Sequence, residues 1–325
     1  MINVGWEVDA MDMKRRSMVL VSKLYYEDNM TQQQIAKQMD ISRMKVSRLL
    51  QKAKDEGIVR IIIDYAGSYP ELENAIQKKY ELKDVIVVDT SVGVSAKEQV
   101  ASAAAYYLEK HLKKNSTIAV GWGTTVRLIP NYIHQMESME LLFSPIIGGH
   151  GQSELDMHAT TIASNFAKKS SGKSLSLIAP ALVKNGEEKQ ILIRDEQIKN
   201  VIDYTAKAQY AVFSLGNPLV PESSISKSGY ISEEDLDQLE KEEAICDVVS
   251  TVFLNGKSKE CCSNITDRCI GITGKQLKSI PNKICIVESD EKKESVKAAL
   301  EGGYIDVLIA DQIIAGYLND SKKEK

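Results

Sequence analysis

Proline and glycine are scarce in this chain of 325 residues, at 7 and 19. So few of either argues against long disordered tracts. No apolar run approaches the roughly 18–20 residues that cross a bilayer. The opening MINVGWEVDAMDMKRRS places acids ahead of bases and has no apolar core, which is not the pattern of a signal peptide. These absences lead us to expect a cytoplasmic protein with no membrane partner. Cysteine is also sparse. Cys246, Cys261, Cys262, Cys269 and Cys285 all fall in the C-terminal quarter, with no CxxC and none of the 4 histidines near them. Reduced thiols acting as small buried hydrophobes are expected, with no metal and no cofactor.

What is present is ordinary in amount and uneven in place. Apolar residues make up 43% and charged residues 26%, as in a globular protein. The net charge is −4. Residues 1–60 carry 11 basic and 8 acidic side chains, while the remainder carries 30 and 37. A basic head on an acidic body suits a nucleic-acid module joined to a domain with a different partner. The length suits two domains, expected at 1–65 and 66–325.

The head contains MTQQQIAKQMDISRMKVSRLLQKA. Thr31 and Gln34 form a capping box, and Ile35, Ala36 and Met39 share a face behind it. Ser42 caps a second helix with the apolar stripe Val46, Leu49, Leu50 and Ala53. Upstream, MVLVSKLYYED supplies another helix, with Leu20, Leu24 and Tyr25 on its inner face. Three short helices with a tight corner between the last two make a helix-turn-helix. With its stripe inward, the third helix turns Met44, Ser47, Arg48 and Gln51 outward, flanked by Arg43 and Lys45. Such a face of donors reads the major groove, arginine bridging guanine O6 and N7. Gln32 and Gln33 stand where helix-start amides reach phosphates. The expected DNA contacts are Thr31, Gln32, Gln33, Ser42, Arg43, Met44, Lys45, Ser47 and Arg48. Gly57 ends the third helix, and GIVRIIIDYA is expected to form a strand, part of a wing.

In the body, apolar strands alternate with helices: VIVVD, TIAVG, LLFSPII, LSLIA, YAVFSLG, ICIVE and DVLIA. A Rossmann-like, doubly wound, mostly parallel sheet follows. TTVRLIPNYIHQM is expected as a helix. The segment from GKSKECC to DRCIGI is expected as an inserted hairpin or antiparallel edge. Ligands of such sheets sit at the carboxyl ends of strands. There, in AVGWGTTVRL, Gly121 and Gly123 permit sharp backbone angles, and Thr124 and Thr125 offer hydroxyls and helix-start amides. This is either an anion cradle or a plain strand–helix turn. Gly148 and Gly149, in PIIGGHG, form a second glycine-rich strand end. No lysine stands beside that pair, so ligand binding is expected to be non-covalent.

The run LYYEDNMTQQQIAKQMDISRMKVSRLLQKAKDEGIVRI resembles the DNA-binding head of the SorC family of sugar-responsive bacterial transcriptional regulators. The likeness is close over about forty residues and implies a regulator, most often a repressor, that binds a palindromic operator as a homodimer or homotetramer. In that family the turn matching Gly121–Thr125 holds the phosphate of a sugar phosphate. A histidine is frequent at the position of His158, which read alone is a capping or core residue. Asp247 matches a hydroxyl-binding position and Arg268 an anion-binding one, although either could form a structural ion pair. Lys292 fits the family's lysine in a loop that here lacks the usual glycine pair, and Lys293 is equally placed. The resemblance thus implies a small phosphorylated sugar or sugar alcohol as effector. A phosphosugar isomerase or deaminase is the alternative, with Asp247 as the sole candidate base. A structural DNA-binding protein with an inert body is a third possibility.

Overall fold

Thr31 and Gln34 hold each other's backbone amides, and this reciprocal cap fixes where the second helix begins. The computed structural model describes residues 5–59, 61, 69–91, 95–134, 136, 139–149, 151, 155–221, 223–229 and 231–322. Its first three helices are α1 (Gly5–Tyr26), α2 (Gln32–Gln38) and α3 (Arg43–Asp55). Ser42 caps α3 by accepting from the Lys45 amide. The corner between α2 and α3 has no glycine, so Asp40 supplies the left-handed residue at φ 51°. Gly57, at φ 69°, closes α3.

Val21, Leu24, Ile35, Ala36, Val46 and Leu50 form the core of this unit, with Met39 and Leu49 packed partly against it. One sequence expectation needs correction. Leu20 is 47% exposed, and α1 instead buries Met18, Val21 and Leu24. Leu24 belongs to both candidate stripes, and packing on α3 selects the one that also carries Val21. The expected wing strand falls mostly on residues outside those described.

The chain divides into two compact units, residues 1–63 and 64–325. Among the described residues the larger contains eleven strands: β1 (Asp84–Val88), β2 (Thr117–Val120), β3 (Leu142–Pro145), β4 (Lys173–Ser174), β5 (Tyr210–Phe213), β6 (Leu215–Gly216), β7 (Ala244–Val248), β8 (Val252–Asn255), β9 (Glu260–Cys261), β10 (Asn282–Val287) and β11 (Val307–Asp311). Helix α4 (Pro70–Tyr80) precedes β1, and α5 (Ala96–His111), α6 (Ala159–Ser170), α7 (Gly186–Leu192) and α8 (Glu196–Thr205) lie between the earlier strands. Then come α9 (Ser224–Lys227), α10 (Glu233–Lys241), α11 (Ser263–Thr266), α12 (Gly274–Ser279), α13 (Lys293–Glu301) and α14 (Gln312–Asp320). Among the described residues, no helix is long and apolar enough to cross a membrane.

Seven strands form a parallel sheet in the order β1-β11-β10-β5-β2-β3-β4. The chain winds outward from β2 to β3 and β4 on one side, and from β5 to β10 and β11 on the other. The winding therefore reverses between β2 and β5. Apolar clusters cover both faces, which is why β5 and β11 are buried at every position.

The remaining strands make an antiparallel sheet, β6-β7-β8-β9. YAVFSLG is therefore not one strand. It breaks at Ser214, leaving β5 in one sheet and β6 in the other. LSLIA likewise gives way to the short edge strand β4, after which the chain leaves to pair Pro180 with Gly149. Val126–Tyr132 is a 3-10 helix with Pro130 inside it, where an α-helix was expected.

Gly148 is a packing glycine. A Cβ there would lie 2.5 Å from both the Ala179 and the Pro180 carbonyl oxygens. Gly148→Ala is expected to lower the unfolding free energy by about 1–3 kcal/mol, the usual cost of overpacking. Urea denaturation measures it.

Candidate recognition helix and ligand cavity

The buried stripe of α3 dictates what its other face shows. With Val46, Leu50 and Ala53 inward, the side chains of Arg43, Met44, Lys45, Ser47, Arg48 and Gln51 are exposed, Met44 at 64%. Gln51 is tied back to Asp55 at 2.9 Å, which leaves the N-terminal half of the helix as the outward donor face. Thr31 and Gln33 are exposed and Gln32 is half-buried at the start of α2. Thr31 and Ser42 spend their hydroxyls on helix caps.

In the larger unit, a cavity of about 490 Å³ opens where the winding reverses, at the carboxyl ends of β2, β5 and β10. Gly123 and Thr124 come to it from β2, Ser214 from β5, Asn217 from the end of β6, and Glu288, Ser289 and Lys292 from β10. The antiparallel sheet adds Asp247 from β7. Lys97, Arg127, Lys227 and Lys292 are its cations, and Asp247, Glu288 and Glu291 its carboxylates.

The expected residues separate into wall and scaffold. Gly123 adopts φ 130°, a conformation that favours glycine, and the space a Cβ would fill is empty. Beside it Thr124 is half-buried on the wall. Gly121 does not line the cavity. Its amide donates to the Val212 carbonyl at 2.9 Å, and a Cβ would meet that of Phe213 at 2.8 Å. It lets β2 and β5 approach. Thr125 is fully buried, and its hydroxyl donates to Glu288 Oε1 at 3.2 Å. It thereby aims a carboxylate that is itself 2% exposed and faces Lys292 at 3.3 Å and Lys97 at 4.0 Å.

Gly148 and Gly149 also lie off the wall. Their amides donate to the Ile270 and Ala179 carbonyls, both at 2.9 Å, so neither is left for an anion. His158 stands at the start of α6, its ring against Gly149. Its buried Nε2 has no partner among the described residues. Arg268 pairs with Asp235 and also donates to the Asn264 and Val183 carbonyls. Of the two roles left open for it, the structure places it in an ion pair away from the cavity.

Asp247 does face the cavity. Burial pushes its carboxyl up to about 7, although the Ser250 amide at 2.6 Å and the Ser250 hydroxyl at 3.5 Å favour the charged form. Of the two placed lysines, Lys292 lines the wall, while Lys293 pairs with Asp290 at 2.9 Å. Sequence reasoning missed Lys97, Arg127, Ser214 and Glu288. Glu288 closes the legible strand ICIVE, so its position was available as a strand end. Arg127, whose Nη1 donates to both carboxylate oxygens of Asp156 at 2.8 Å, lies beyond the turn that drew attention.

Three comparisons bear on this arrangement. A family profile described as "Putative sugar-binding domain" matches residues 66–318, and one described as "Sigma-70, region 4" matches residues 17–55. The deoxyribonucleoside regulator of Bacillus subtilis is 30% identical over 302 residues, covering 92% of this chain and 96% of that protein. The sorbitol operon regulator of Klebsiella pneumoniae is 29% identical over 312 residues, covering 93% and 97%. The crystal structure of the full-length sorbitol operon regulator SorC from Klebsiella pneumoniae superposes with a TM-score of 0.76 at 27% identity, covering 94% of this chain and 98% of that one. These relatives are transcriptional regulators, not enzymes, and the isomerase or deaminase alternative falls with them. A DNA-reading head, a sugar-binding body and relatives matched from end to end together place the chain in the SorC family of transcriptional regulators.

Proposed function

We propose that the chain represses a catabolic operon for a sugar or sugar alcohol, and that a phosphorylated sugar bound non-covalently in the 490 Å³ cavity loosens its hold on DNA. One observation carries this reading. At the reversal of the sheet, Thr124 and the cations Lys97, Arg127 and Lys292 share a wall with the hydroxyl-binding groups Asp247, Ser214 and Asn217. The first set suits a phosphate and the second a polyol. Lys97 and Lys292 both face Glu288, which favours their use as charges over use as nucleophiles. Gly121, Thr125, Gly148, Gly149 and His158 then shape the site from behind, and Arg268 braces the fold.

In the same reading, α3 enters the major groove and the start of α2 meets phosphates. A helix-turn-helix used this way binds two half-sites about one turn apart. A palindromic operator, a homodimer or homotetramer and a cytoplasmic setting go with it. The effector acts through differential affinity for two states of the assembly.

Thermal unfolding against a panel of free and phosphorylated sugars and polyols tests the reading. A ligand of the native state adds about 2.7 kcal/mol at a hundredfold excess over its dissociation constant. One phosphorylated sugar is expected to do this, with a smaller gain in Thr124→Ala. Gains with unphosphorylated sugars alone would move the anchor away from the 121–125 turn. No gain across the panel would remove the effector from the proposal.

A further inference from the structure

Cys261 closes β9 and Cys262 stands at the start of α11. Consecutive side chains of a regular strand point to opposite faces, so adjacent cysteines on one would not share a ligand. Here the backbone turns between them. Cys262 takes φ 55° and ψ 44°, the left-handed region that residues other than glycine seldom occupy. Both thiols then meet the Glu242 carboxylate, which comes from the residue after α10. The two Sγ atoms and a Glu242 oxygen all lie within 4.8 Å of one another. Glu242 is held in place, accepting from the Cys262 amide at 2.6 Å and from the Gln238 side chain.

These three residues share the wall of a second cavity, of about 390 Å³. It is separate from the first and bounded by β8, β9 and the start of α12. Cys269 borders it too, but its thiol donates to the Ser250 carbonyl at 2.9 Å. The Cys262 thiol is held more weakly, donating to the Gln238 carbonyl at 3.8 Å and lying within hydrogen-bonding reach of Cys261 and Glu242.

We propose that Cys261, Cys262 and Glu242 form a binding site for a thiophilic cation of the Zn²⁺ type, its fourth coordination position open to the second cavity. Bonds of about 2.3 Å from zinc to sulfur set two sulfurs of a tetrahedron roughly 3.8 Å apart. The observed spacing closes to that by small side-chain rotations. Two thiolates and one carboxylate oxygen match the preference of zinc. Each thiol releases its proton to solvent as its bond to the metal forms. Sequence alone set metal binding aside because no histidine or CxxC stands near. Glu242, 20 residues before Cys262, is invisible to that count. Ladder register aligns Cys261, Phe253 and Asp247 in one row across β9, β8 and β7. An ion on Cys261 therefore bears on the strand that also walls the first cavity.

Cobalt titration of the reduced full-length chain tests the site. One equivalent of Co²⁺ per chain is expected to give a thiolate-to-metal charge-transfer band and the strong visible absorption of a tetrahedral ion, both bleached by Zn²⁺. Cys261→Ser and Cys262→Ser should abolish the band, Glu242→Gln should weaken it, and Cys285→Ala should leave it intact. In the unaltered chain, Zn²⁺ should shield Cys261 and Cys262 from alkylation, read by peptide mass spectrometry. That second measurement decides the matter if the serine variants fail to fold. No charge-transfer band, a band that survives loss of both thiols, or alkylation of Cys261 unchanged by Zn²⁺ would each overturn the proposal.

Discussion

Replacing Arg48 with alanine is expected to weaken binding to the operator by about 1–3 kcal/mol, the discrimination carried by one good bidentate arginine–guanine pair. Every 1.4 kcal/mol is tenfold, so the loss is read as roughly fivefold to over a hundredfold in a titration of labelled operator. Binding to unrelated DNA should fall much less, because that binding depends on phosphates and counterion release. The unfolding transition should not move. Arg48 is exposed on α3, and the core beneath it is built from Val46, Leu50 and Ala53. Lys45→Ala is the useful contrast. If Lys45 meets a phosphate, its loss weakens all sequences alike and lowers the salt slope by about one. An operator preference that survives Arg48→Ala would mean that the reading face of α3 is centred elsewhere, nearer Arg43 and Met44.

The helix caps were legible because they are signals along one dimension. Thr31 with Gln34, and Ser42 before an apolar stripe, each announce a helix start within four residues, and the fold keeps both. The parallel strands were legible because burial on two faces demands continuous apolar runs, as in VLIAD. Features that depend on distant partners were not legible. Nothing local in SPIIGGHG says that the Ala179 and Pro180 carbonyls press on Gly148, so a packing glycine resembles a binding glycine. Arg268 matched an anion-binding position, yet Asp235 is set to take its charge only by the fold. The break of YAVFSLG at Ser214 follows from a change of sheet, and no periodicity within seven residues encodes that. The turn at 121–125 borders the cavity, but of its threonines only Thr124 lines it, because Thr125 is drawn inward by Glu288.

Asp247→Asn is expected to stabilise the free protein, and by more as pH rises. Burial holds the Asp247 carboxyl at about 7 in the folded chain, against an ordinary value of 3.8. The folded state therefore binds a proton that the unfolded state has lost between these two values. Stability falls with rising pH wherever the native state holds more protons. The destabilisation is absent below about pH 4, grows up to about pH 7, and is constant above. At about 1.36 kcal/mol per pH unit it amounts to about 4 kcal/mol. Asparagine removes the charge, while its oxygen can still accept from the Ser250 amide that now lies 2.6 Å from Oδ1. Thermal unfolding curves of the two proteins should nearly coincide below about pH 4 and draw apart as the pH rises to 8, with the variant higher. Curves that stay parallel would mean that Asp247 is already ionised at pH 5, its charge met by the Ser250 donors. The same charge serves the proposed ligand, because a sugar hydroxyl donating to an ionised carboxylate makes a stronger bond than one donating to a neutral acid. The stabilisation brought by the effector should therefore grow from pH 5 to pH 8 in the parent chain and stay level in Asp247→Asn. A carboxylate that destabilises the empty cavity and is satisfied in the filled one gives the body a reason to hold its ligand.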